Sequence, residues 1–75
     1  MKYLTGEEVK VGDRVFIENG KTSGVVHAVI ETSAQMKEWG VDEPGISIEA
    51  EPFGLVYWPS SEIDDPVIFD GRLNP

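Results

Sequence analysis

Apolar and polar residues alternate with a period of two over several short stretches separated by turn residues, which predicts a chain made mainly of β-strands. Arg14-Val15-Phe16-Ile17 places Val15 and Ile17 on one side of a first strand, entered through a turn at Val11-Gly12-Asp13. Glu18-Asn19-Gly20-Lys21 follows, and Asn-Gly is a strong hairpin signal because both central residues tolerate positive φ. A second strand is expected from Ser23 to Glu31, rich in β-branched Val25, Val26, Val29 and Ile30. Gly24, near its start, points to a bulge or a close backbone approach. Gly45-Ile46-Ser47-Ile48-Glu49-Ala50-Glu51 alternates cleanly, with Ile46, Ile48 and Ala50 expected inward and Ser47, Glu49 and Glu51 outward. Pro52-Phe53-Gly54 reads as a turn, Leu55-Val56-Tyr57-Trp58 as a strand stopped by Pro59, and Pro66-Val67-Ile68-Phe69 as a last strand after a polar, acidic loop from Ser60 to Asp65.

One segment breaks the alternation. Between Thr32 and Gly45, Ser33 could cap a short helix, Ala34 to Trp39, ended by Gly40. Met36 and Trp39 would share a face three residues apart. So short a helix is unstable alone, so it must dock or stay loose. Residues 1–75 therefore read as a single mostly-β domain, a small barrel of about five strands with a short helical insert; closure of the barrel would remove vulnerable sheet edges.

Two resemblances follow from these residues. Val11-Gly12-Asp13-Arg14-Val15-Phe16-Ile17, then Gly20, then Gly24-Val25-Val26-His27-Ala28-Val29-Ile30, resembles the opening hairpin of SH3-like barrels of the KOW and Tudor kind. That resemblance implies an SH3-like barrel and, for KOW modules, binding to RNA or to a transcription or ribosome component. More weakly, Val11 to Val15, Trp39, Gly45 to Glu49 and Gly54 to Pro59 together resemble small bacterial immunity proteins encoded beside polymorphic toxins. That second resemblance implies stoichiometric inhibition of a partner, without chemistry by this chain.

Charge bears on the choice. The formal net charge is −8, and it resides in the second half. Residues 1–37 carry equal numbers of acids and bases, whereas residues 38–75 carry nine acids and a single base, Arg72. Such a field repels phosphates and attracts basic partners. KOW modules are usually basic, so the acidic remainder argues against nucleic acid and for a basic protein. Acidic surfaces also serve solubility alone. The start of the chain lacks the apolar run of a signal peptide, no stretch has the ~20 apolar residues of a membrane span, and there is no cysteine; a cytoplasmic, non-membrane protein is expected.

Candidate chemistry is sparse. Without cysteine there is no thiol nucleophile or thiolate metal site. His27 is the sole histidine, expected mid-strand on the face opposite Val26 and Ala28, and one histidine does not make the usual zinc site. Glu49 and Glu51 should stay solvated, and Asp64-Asp65-Pro66 lacks the spaced ligands and central glycine of a calcium loop. Gly20-Lys21-Thr22 fits a phosphate loop neither in spacing nor in context. No catalytic, cofactor-binding or metal residue is assigned, and the chain is expected not to be an enzyme.

Binding has better candidates. In Leu55-Val56-Tyr57-Trp58 both faces are apolar, and a small barrel has one interior. Either Met36 and Trp39 of the insert cover Val56 and Trp58, or Tyr57 or Trp58 stays partly exposed as an anchor for a basic partner. The expected partner-binding set is Trp39, Glu49, Glu51, Tyr57, Trp58, Asp64 and Asp65, and the two-sided apolar strand also allows a homodimer.

Overall fold

The computed structural model describes residues 1–51, 53–62 and 64–72. Pro52 of the expected turn, Ile63 of the acidic loop and the last three residues lie outside the described residues. The chain is mostly β, with five strands and one short helix in the order β1 (Asp13–Ile17), β2 (Thr22–Ile30), α1 (Ser33–Trp39), β3 (Gly45–Ala50), β4 (Gly54–Pro59) and β5 (Ile68–Arg72). The strands form one antiparallel sheet in the order β4-β3-β2-β1-β5. A meander of four strands is thus extended by β5, which returns to lie beside β1.

The sheet curls around its core. Val15 and Ile17 of β1, Val26 of β2, and Ile46, Ile48 and Ala50 of β3 are buried together, and Val56 and Trp58 of β4 and Phe69 of β5 pack against them. Side chains from five strands meet in one cluster only if the sheet bends strongly, and two bulges supply part of that bend. In β2 the register slips between Val26 and Ala28, leaving His27 as the extra residue. In β5 it slips opposite Arg14 and Val15, leaving Asp70 unpaired between Phe69 and Gly71.

The β2 bulge overturns one expectation. Strict alternation would place Val26 and Ala28 on one face, opposite His27. Instead Val26 pairs with Ile48 and faces the core, whereas Ala28 pairs with Ser47 and faces outward. The bulge also turns Val29, beside Ile46, back to the core. Ile30, fully buried, falls on the outer face beside Gly45. The outer face of β2–β3 is therefore dry in part: Ser47 faces outward as expected, yet it is 1% exposed, and its Oγ has no hydrogen-bond partner among the described residues.

The helix covers this second face rather than the core. It packs against β2 and not over Val56 and Trp58, the first of the two arrangements the sequence left open, and none of its residues is fully buried. Its N-cap is Thr32, one residue earlier than expected. The Thr32 hydroxyl accepts from Gln35 N–H while the Gln35 side chain accepts from Thr32 N–H, a reciprocal capping box. Gly40 ends it in the left-handed conformation (φ 70°).

Residues before β1 close the core. Tyr3 and Val9 are buried, Tyr3 stacks on Phe69 at 4.9 Å between ring centroids, and its hydroxyl donates to Asp13 Oδ2 at 2.7 Å. Asp13 is itself buried and also accepts Lys10 N–H at 3.0 Å, so this carboxylate holds the segment against the sheet. The Met1 ammonium lies 2.8 Å from Glu31 and 2.9 Å from Glu8. Hydrogen bonds to Glu31 and then Glu8 raise its pKa, and the same contact lowers that of Glu8. No helix is long and apolar enough to cross a membrane.

Candidate functional site

The residues proposed from sequence separate into three groups. Trp58 points into the core beside Ile46, and its indole N–H donates to the Asp65 carbonyl at 2.7 Å. Asp65 also accepts Asn19 N–H on Oδ1 at 2.8 Å, so Trp58 and Asp65 together tie the β4–β5 connection to the first hairpin. These contacts occupy both residues in holding the fold. Asp64, next to them, is exposed.

Tyr57 faces the other way. Its ring lies over Gly45, where an added Cβ would come within 2.6 Å of it, and its hydroxyl donates to the Glu43 carbonyl at 2.5 Å. Partial burial raises its pKa first, and the nearby charges of Glu43 and Asp42 add to the rise. Trp39, 36% exposed, sits apart on α1 with its ring edge-on to His27 at 6.1 Å.

Glu49 and Glu51 are brought together on the open part of the outer face. Cross-strand pairing sets the rows there. Arg14 pairs with Val25, Val25 with Glu49, and Glu49 with Leu55; beside them Ile68 pairs with Phe16 and Phe16 with Ser23. A shallow depression is lined by Arg14, Phe16, Val25, Glu49, Glu51 and Asp70. Leu55 is 51% exposed, Ile68 43%, and Phe53 in the neighbouring turn 55%, so large apolar side chains stand in solvent among carboxylates. Leu4 and Val11 are also exposed, on the segment before β1.

This face exists because the first hairpin and β3 are built tightly. Gly24 pairs with Val15 and looks inward, where a Cβ would lie 2.5 Å from Ile48 Cγ2 and 3.0 Å from the Glu49 carbonyl oxygen. The expected close approach at Gly24 is thus present, with the bulge displaced to His27. Asp70, pushed out by its own bulge, lies 3.7 Å from Arg14 and neutralises the one base at the depression. The sequence-derived set lacked Phe16, Val25, Leu55, Ile68 and Asp70; alternation against Val15 and Ile17 leaves Phe16 on the opposite side, whereas the facing of Ile68 and Asp70 depends on that bulge.

Among the described residues, no group of three or more His, Asp or Glu side chains is arranged to hold a metal ion. No protein-family model matches the chain, and neither the curated proteins nor the solved structures contain a match to it.

Proposed function

We propose that this chain is a non-catalytic binding module for a basic protein, acting as a stoichiometric inhibitor of the immunity type. The observation that carries this reading is the open face of the sheet, where Leu55, Val25, Phe16 and Ile68 stand in rows beside Glu49, Glu51 and Asp70. Exposed apolar side chains gain by being covered, and carboxylates around them favour a cationic cover over a neutral one. The charge of residues 38–75, which carries the whole net −8, supports the same sign of partner and a fast, salt-sensitive association. Trp58 and Asp65, engaged within the fold, drop out of the proposed contact set; Glu49 and Glu51 remain at its centre and gain Leu55, Val25, Phe16 and Ile68.

The test is affinity capture of the tagged protein from the lysate of its source, with and without nuclease, followed by elution in rising salt. The expected result is one basic protein, retained after nuclease and released by salt. Recovery that disappears with nuclease would overturn the reading in favour of an RNA-binding module of the KOW kind.

A further inference from the structure

The two end strands of the sheet are built differently. β5 carries charged Asp70 and a bulge that throws Asp70 out of register, devices that discourage another strand from pairing. β4 (Gly54–Pro59) has neither. It contains no charged residue, and its register with β3 runs without a slip from Ala50–Gly54 to Gly45–Pro59. The hydrogen-bonding phase of that ladder follows from one contact. Ser60 N–H donates to the Pro44 carbonyl at 2.9 Å, one step beyond Gly45–Pro59. Hydrogen-bonded and non-hydrogen-bonded pairs alternate in an antiparallel ladder. Ile46–Trp58, Ile48–Val56 and Ala50–Gly54 are therefore the bonded pairs, and the N–H and C=O groups of Leu55 and Tyr57 point away from β3. Among the described residues these four groups have no backbone partner.

We infer that β4 is a docking edge onto which an extended basic segment of the partner adds as a sixth strand. The inference rests on the binding reading above and specifies its mode. Charge selects the occupant. Glu49 flanks Leu55 on the outer face, Glu51 lies at the adjoining turn, and the charges of Asp42 and Glu43 act on the Tyr57 hydroxyl. A strand with Lys or Arg at every second position would present those side chains to the acids while its backbone pairs with Leu55 and Tyr57. A second copy of this chain would bring the same carboxylates against themselves, which disfavours a β4–β4 dimer.

The probe is an eight-residue peptide of alternating Lys and Val, with two relatives N-methylated at every Lys or at every Val. Alternate N–H groups of a strand face opposite edges, so one relative loses the pairing donors and the other keeps them. The intact peptide is expected to protect the Leu55 and Tyr57 amides from hydrogen exchange. One methylated relative is expected to bind at least ten-fold more weakly than the other. Equal, salt-sensitive binding of all three peptides without amide protection would overturn strand addition while leaving a basic partner for the open face. Absence of binding by any of them would overturn the inference. Protection that grows with protein concentration alone would overturn it in favour of a second copy.

Discussion

Gly24 and Ser47 lie on opposite faces of the sheet and set opposite limits on substitution. At Gly24 the space for a side chain is already taken by Ile48 and by the Glu49 carbonyl. Gly24→Ala should therefore cost about 1–3 kcal/mol, the usual penalty for overfilling a packed core, read as a lowered midpoint in chemical denaturation. Ser47 presents the reverse case: its hydroxyl is buried with no partner among the described residues, so the molecule bears its desolvation without return. Ser47→Ala should stabilise by about 1 kcal/mol in the same measurement. Tyr57 supplies a pH-dependent check. Its phenol is held above the ordinary value of 10.0 by burial and then by Glu43 and Asp42. A raised folded-state pKa contributes stability that is complete below the unfolded value and is lost as pH climbs through the folded one. Tyr57→Phe should remove a late-ionising phenol from the ultraviolet titration, with stability declining above pH 10.0 in the parent chain.

Elements were legible from sequence where a side-chain period or a turn residue acts alone. Asn19 (φ 57°) and Gly20 (φ 85°) occupy the positive φ that the Asn-Gly signal demands, and Ile46, Ile48 and Ala50 are buried as alternation requires. Legibility failed where one extra residue changes the parity. Nothing in Val25-Val26-His27-Ala28 marks His27 as the bulge, because either register buries β-branched side chains on one face. Alternation gives the outward facing of Ser47 correctly, but its burial depends on the covering of the outer face, which no local pattern encodes. Trp58 was open between core and surface, and the β3 register places it beside Ile46 in the core. The last strand starts two residues later than expected, since its pairing with β1 begins at Phe16–Ile68. The helix depends on its ends. With no fully buried residue, α1 relies on the Thr32–Gln35 capping box. Thr32→Ala should weaken it by about 1 kcal/mol, seen as faster hydrogen exchange across Ser33–Trp39 with β1–β3 unaffected.

At the scale of the whole molecule, the exposed apolar side chains of Phe53, Leu55 and Ile68 and the surplus acids fall together in the second half of the chain. The core is complete without Leu55, Ile68 and Phe53, which remain exposed, and the surplus acids lie in the half of the chain that builds β3, β4 and β5. Screening by salt weakens attraction between such a surface and a cation over a Debye length of about 8 Å at physiological ionic strength. The most direct test of this account is the affinity capture repeated with a Leu55→Lys/Glu49→Lys double variant, beside the parent chain. Both positions are exposed, so the variant should keep its thermal unfolding transition. The account predicts that the folded variant no longer retains the basic partner that the parent chain captures. Undiminished capture by a folded double variant would contradict it and move the binding surface away from β3 and β4.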